Sequence, residues 1–348
     1  MRITNNQLTS NYLFNANRTL EKLTEQHEKC ETGRAFKRIS QNVSAGKKAL
    51  QARTAMYRNE QYQKNVSAAS EQMTTAEASL TSINDQLQNV KSLCLKAVNG
   101  PNTDDTSRDI FAATLNETKA SILDDINAQH VDKYIFGGTN NKEIPFTVDD
   151  EGDICFNGTK LDDLTCTDGV YFDKDGNEVP MSGDTYVDIG KGLRMNGDTF
   201  DKNSAFKISF QGAEWTGYGK SEMSYTDKDG NEVTEEVSNN VYQILTQMQN
   251  ALENNDTERL SALNDHLDKQ FDHLLTGIAE LGVKSKTLET TKSKLEDEND
   301  SIAQMQQDIE GINDTDEIVK LEEYNYAWAL TLKFGSTVLP NSLMDYIK

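Results

Sequence analysis

Few cysteines, few histidines and a low share of apolar residues set the first limits on this chain. Its 348 residues include 4 Cys, 4 His, 4 Pro and 2 Trp. The cysteines are Cys30, Cys94, Cys155 and Cys166, with no CxxC among them and no His at metal-ligand spacing, so no zinc site is expected. Cys30 and Cys94 fall on apolar helical stripes and read as small buried hydrophobes, whereas Cys155 and Cys166 could be a pair or two free thiols. Hydrophobic residues make up only 36%, with mean hydropathy -0.69. That is too little to wrap a spherical core, and it points to an elongated, helix-rich molecule with narrow seams. No window approaches ~18 uninterrupted apolar residues, so no membrane insertion is expected. The opening MRITNNQLTSNYLF lacks a basic stretch followed by an apolar one, so it is not expected to act as a Sec signal peptide.

Positive charge is also in deficit. A formal net charge of -22 argues against nucleic acid and anionic membrane surfaces as partners, since both would repel the chain. Signatures of catalysis are missing as well: no GxSxG, no Walker A, no HExxH and no GxGxxG after a strand. No enzyme activity, cofactor or metal is predicted. His266 and His273 lie seven apart beside Asp265, Asp268 and Asp272, which reads as a solvated helical face rather than the i, i+4 spacing of helical ligands.

What the sequence has is heptad spacing. Leu13, Ala16, Leu20, Leu23, His27 and Cys30 alternate steps of three and four, the mark of a narrow seam. Residues 31–48 then break it with two glycines, polar residues and a basic cluster, and read as a loop. The seam resumes at Ala52, Ala55, Asn59, Tyr62, Val66, Ala69, Met73, Ala76, Leu80, Ile83, Leu87, Val90, Cys94 and Ala97. The implied helix is ~80 Å long, and Asn99-Gly100-Pro101 is its stop signal. A third helix is predicted from Ser107 to about Val131. After Phe146 the pattern turns to period two: FNGT at 156–159 signals a hairpin, and DKDGNEV occurs at 173–179 and again at 227–233. The glycine is fourth in that run, not sixth as in an EF-hand, so both copies read as hairpin turns. Helix is expected again near Val237, through the Asn254-Asn255-Asp256 cap, and on to Gly311. A last seam runs Ile318, Leu321, Asn325, Trp328, Leu332, Gly335 and Leu339.

The predicted fold class is mainly α with a β insertion: an elongated antiparallel helical bundle or coiled coil from both termini, plus an outer all-β, hairpin-rich domain. The predicted division is a terminal coiled-coil segment (1–40 and 313–348), a helical shaft (41–135 and 237–312) and the outer β domain (136–236). Replacing residues 147–236 by a linker is expected to leave the helices folded. The two ends are each too short to stand alone, and are expected to order on meeting each other and neighbouring copies.

Four stretches, TGRAFKRISQNVSAGKKALQAR, AEASLTSINDQLQNVKSLCLKAVNG, YIFGGTNNKEIPF and LGVKSKTLETTKSKLED, resemble the bacterial flagellin superfamily and, within it, the hook-associated protein 3 family. TGRAFKRISQNVSAGKKALQAR (32–53) resembles the loop between that family's first two helices, with Ser40-Gln41-Asn42-Val43 in place of Ser-Asp-Asp-Pro. AEASLTSINDQLQNVKSLCLKAVNG (76–100) and LGVKSKTLETTKSKLED (281–297) resemble its N- and C-terminal signatures, and SLMDYI after Pro340 also fits. YIFGGTNNKEIPF (134–146) is similar to the YxFGGT…PF of the junction proteins. The resemblance implies a structural protein at the junction of hook and filament, polymerising through its terminal helices and exported without a Sec signal to the flagellum outside the cell. It implies as partners the chain itself, a neighbouring hook-associated protein, flagellin and an export chaperone. The implied subunit interface is Leu13, Leu20, Leu23, Leu321, Trp328, Leu332 and Leu339. The implied domain-junction motif is Tyr134, Phe136, Gly137, Gly138, Pro145 and Phe146. A minor flagellin of the filament, a secreted binding module on a helical stalk and an enzyme with a coiled-coil stalk are the alternative readings.

Overall fold

A computed structural model describes residues 5–99, 105–167, 169–180, 183–197 and 199–338. The chain is mainly helical with small antiparallel sheets, as its periodicities require. Its contacts group into two compact units: residues 1–60 with 296–348, and residues 61–295.

The first unit holds α1 (Asn5–Thr32), the start of α2 (Val43–Asn99), the end of a long helix ending at Glu310, and a last helix, Asp314–Val338. The predicted 31–48 loop is shorter than expected. Asn42 caps α2, its Oδ1 accepting from the Ala45 N–H at 3.1 Å, so helix begins at Val43 and Gly46 lies inside it. The loop is pinned by the Ala35 N–H donating to Glu310 O at 2.8 Å, and Arg53 clamps the Glu310 carboxylate with two 2.7 Å bonds.

The second unit begins with the rest of α2, whose seam from Val66 to Ala97 is buried as predicted. Next comes α3 (Asp105–Ile126), which ends earlier than the expected Val131. Val131 and Asp132 take positive φ (49° and 59°) and turn β1 (Gln129–His130) into β2 (Lys133–Tyr134), a tight hairpin without glycine. The insertion follows: β3 (Phe146–Val148), β4 (Ile154–Phe156), β5 (Thr159–Lys160), β6 (Thr165–Thr167), β7 (Val170–Phe172), β8 (Tyr186–Val187), β9 (Met195–Asn196), β10 (Thr199–Phe200) and β11 (Phe206–Lys207). A five-residue helix, α4 (Gly212–Thr216), precedes β12 (Lys220–Thr226) and β13 (Glu232–Ser238).

Helix does not return at Val237. That residue pairs with Ser221 inside β13, and α5 (Val241–Glu253) starts only after Asn240, whose Oδ1 accepts from the Tyr242 and Gln243 N–H groups. α6 is the long helix Thr257–Glu310, capped by Asp256 as the sequence foretold; α7 is Asp314–Val338. α2 and α6 run antiparallel here: Gln63 Nε2 donates to Leu295 O at 3.1 Å, and Lys91 pairs with Asp268 at 2.7 Å. Ser82 and Gln86 tie α2 to Asp125 of α3.

FNGT turns as predicted, through Asn157 (φ 48°) and Gly158 (φ 87°). Both DKDGNEV copies are turns too, and DDEGD at 149–153 is a third of the same design that the sequence reading missed. In each, the first Asp (Asp149, Asp173, Asp227) accepts two backbone N–H groups on Oδ1. Gly152, Gly176 and Gly230 supply the positive φ. Those backbone donors hold all three carboxyls below their usual range.

Candidate assembly surface and junction motif

α1 and α7 pair antiparallel, held by two polar anchors. Tyr12 Oη donates to Thr331 O at 3.0 Å, and Gln26 Nε2 donates to Glu317 O at 2.9 Å and to its carboxylate at 2.5 Å. These anchors move the inner seam by one residue from the expected one at every second position. On α1 the covered positions are Tyr12, Ala16, Thr19, Leu23 and Gln26; on α7 they are Glu317, Leu321, Tyr324, Trp328, Thr331 and Gly335.

The seven residues of the predicted interface therefore divide. Leu23, Leu321 and Trp328 are half-buried in the pair. Leu13 (49% exposed), Leu20 and Leu332 (53% exposed) face outward, joined by Phe14 on α1 and Ile318 and Phe334 on α7. Leu339 lies outside the described residues. Polar and apolar residues together close the pair, and several large apolar residues stay exposed on it.

The junction motif sits in the second unit. Tyr134 is half-buried, whereas Ile135, Phe136, Gly137, Gly138, Pro145 and Phe146 are buried. The backbone of 136–138 is stitched to 210–212: Gly138 N–H donates to Phe210 O at 3.0 Å and Gly212 N–H to Phe136 O at 2.9 Å. A side chain at Gly137 would put its Cβ 2.2 Å from Asn140 O, so only glycine fits. The Asn127 side chain, one residue past α3, takes both backbone groups of Phe146 (2.9 and 3.1 Å). Phe146 stacks on Phe156 at 5.0 Å between ring centroids, and Phe136 meets the edge of Trp215 at 6.1 Å.

Trp215 is the residue that sequence reasoning missed here. Its indole, 5.2 Å from the Phe210 ring, lies against α6 where a Cβ at Gly277 would come within 2.6 Å of it. One of two tryptophans in the chain, between Gly212 and Gly217 in QGAEWTG, it was the available signal. The insertion and the helices share one hydrophobic cluster, from Val66 to Leu295. Excising 147–236 would remove the ring that fills the Gly277 notch, which argues against the expected expendability.

His266 is also not where it was expected. It is buried, not solvated, with Nε2 3.1 Å from Ser238 O, and burial lowers its pKa. Ser238 Oγ donates to Asp162, whose carboxyl burial pushes up. His273 stays exposed. Asp149, Glu151 and Asp153 converge, but the Lys160 ammonium fills the space between them. All four cysteines carry free thiols; burial pushes Cys94 up to about 12. No helix among the described residues is long and apolar enough to cross a membrane.

Residues 3–141 match the bacterial flagellin N-terminal helical region, a span that ends inside the junction motif. No curated protein sequence matches the chain. Among solved structures, one from Vibrio parahaemolyticus, described as a flagellar hook-associated protein, is 17% identical with a TM-score of 0.55, covering 78% of this chain and 100% of that one. FlgL from Bacillus cereus is 20% identical (TM-score 0.48, covering 74% and 98%). Hook-associated protein 3 from Legionella pneumophila is 14% identical (TM-score 0.48, covering 74% and 98%). Residues 3–141 therefore carry the flagellin N-terminal helical region, and the chain shares the fold of the Vibrio structure.

Proposed function

We propose that this protein is a nonenzymatic structural subunit of the bacterial flagellum, polymerising through its terminal helices at the junction between hook and filament. The observation that carries the reading is the number of large apolar residues left exposed on the α1–α7 pair. Leu13, Phe14, Leu20, Leu332 and Phe334 are exposed on helices that already have each other as partners. Apolar residues repeated along one helical pair mark a surface that other subunits cover. In this reading Leu23, Leu321 and Trp328 close the pair, Leu13, Leu20 and Leu332 meet neighbouring copies, and Leu339, outside the described residues, is proposed to join them. The residues of 136–236 face outward from the shaft, and Tyr134 to Phe146 lock them to it. Partners are the chain itself, a neighbouring hook-associated protein, flagellin and an export chaperone. The protein acts outside the cell, reached without a Sec signal.

A minor flagellin of the filament is the second reading, favoured by the match of residues 3–141 to the flagellin N-terminal region. Immunogold labelling of flagella with antibody against this chain separates them. A short band between hook and filament is the expected result; label along the whole filament supports the second reading. Flagella that carry no label overturn both.

A further inference from the structure

We propose that the first four turns of α2 form a second self-association surface, distinct from the α1–α7 seam, that docks on the outward acidic face of α7 in another copy. The inference rests on the reading that the chain assembles with itself. Two independent features of the first unit lead to it.

One is charge. Between Thr32 and Asn59 stand seven Lys and Arg and no Asp or Glu, in a chain of net charge -22. Lys37 and Arg53 are used internally, by Glu28 and Glu310. Arg38, Lys47, Lys48 and Arg58 make no ion pair among the described residues. At the other end of the chain, Asp314 to Glu323 holds five carboxylates (Asp314, Asp316, Glu317, Glu322, Glu323) against Lys320 alone.

The other is periodicity. On α2, Ala49, Ala52 and Asn59 are buried, and the opposite face shows Val43 (68% exposed), Leu50 (57%) and Tyr57 (71%) seven residues apart. Lys47 and Thr54 fill the intervening places, so the steps are four, three, four, three. On α7, the face turned away from α1 shows Val319, Glu323, Tyr326 (68% exposed) and Leu330, in steps of four, three, four. Each stripe has the a/d spacing that packs against a second helix of the same spacing. Each carries one charged residue between apolar neighbours, basic on α2 (Lys47) and acidic on α7 (Glu323). Lys47 and Glu323 occupy equivalent places between apolar neighbours, so electrostatic complementarity selects the pairing. Because two different patches meet, the contact is head-to-tail and propagates from copy to copy instead of closing a dimer.

The test uses the full chain with a photo-crosslinking amino acid in place of Leu50. Intermolecular adducts mapped by mass spectrometry should fall between Val319 and Leu330 of another copy. Lys47→Glu with Lys48→Glu, or Glu322→Lys with Glu323→Lys, should each reduce the yield about tenfold, the equivalent of two exposed ion pairs. Mixing the first variant, carrying the photo-reactive group, with the second should restore it. All four positions are exposed, so unchanged thermal melts would show that the variants fold. Absence of intermolecular adducts at the highest soluble concentration, adducts confined to other segments, or indifference to the charge reversals overturns the proposal. So does binding to phosphatidylserine-rich vesicles that Lys47→Glu with Lys48→Glu abolishes while no adduct forms, which would assign the stripe to lipid. If the reversals leave assembly intact but Leu13→Ala with Leu332→Ala abolishes it, this inference fails and the assembly reading stands. Adducts in a protein that immunogold finds off the flagellum give the converse.

Discussion

The two compact units of this chain spend their large apolar residues in opposite ways. In residues 61–295, Phe136, Phe146, Phe156, Phe210 and Tyr171 are all buried, and Trp215 is buried against a glycine on α6. In residues 1–60 with 296–348, the fully covered seam positions of α1 and α7 are Ala16, Gln26 and Gly335, while Phe14, Tyr326 and Phe334 are exposed. The first arrangement is a finished core; the second is a partly satisfied surface. The difference teaches that a heptad pattern alone does not say whether its partner lies in the same chain. Identical spacing yields a closed seam in α2 and an open one in α1.

The comparison breaks most visibly if the aromatic core of the second unit can be emptied cheaply. Trp215→Ala should cost about 3–5 kcal/mol in thermal or denaturant unfolding, because the buried indole packs directly against Gly277 and its loss leaves a cavity. A loss of under about 1 kcal/mol would mean that the insertion and the helices are separable after all. Leu87→Ala, in the middle of the buried α2 seam, should cost about 2–5 kcal/mol. Its measurement checks that α2 is core here and not a surface awaiting a neighbour.

A pH titration sharpens the same point. His266 is held neutral by burial, so its folded pKa lies below the unfolded value of ~6.5. The unfolded chain then binds more protons, and stability should fall as pH drops through that value. Asp162 has the opposite sign: its raised folded pKa adds stability as pH falls toward ~4. His266→Gln keeps a donor for Ser238 O and should flatten the slope between about pH 5 and 7. An unchanged slope would place the titration elsewhere.

The smallest effect on folding belongs to the first unit. Leu13→Ala and Leu332→Ala should each change monomer stability by under about 0.5 kcal/mol, as exposed positions do, while sedimentation shows loss of association. Limited proteolysis should cut α1 and α7 before any site in 61–295, since few buried apolar contacts hold them. Equal resistance of both units would show the pair to be as finished as the core.

Much of this was legible beforehand, and the misses share causes. The α2 seam could be read because fourteen positions repeat one spacing with little else to explain it. The Asn-Gly and Asp-Gly turns could be read because those residues accept left-handed backbone. The inner face of α1 could not, because two polar side chains, Tyr12 and Gln26, set its register and hydropathy ranks them as surface. The Val131-Asp132 turn lacks the usual glycine signal, so α3 was read too long. Trp215 and Gly277 are 62 positions apart, and no local pattern announces that a ring and a gap will meet.

The three Asp-turns carry one further consequence. Each is closed by bonds spanning at most four residues, Asp149 to Asp153, Asp173 to Asn177 and Asp227 to Asn231. Contacts that short form on the hairpin timescale of ~1–10 μs, before any distant segment has arrived. The strand registers beside them, Val148 with Ile154, Phe172 with Glu178 and Thr226 with Glu232, are therefore written by the turn itself. Whenever this chain folds from an extended state, its insertion can rebuild its sheets from local instructions, leaving the slower search to the helices.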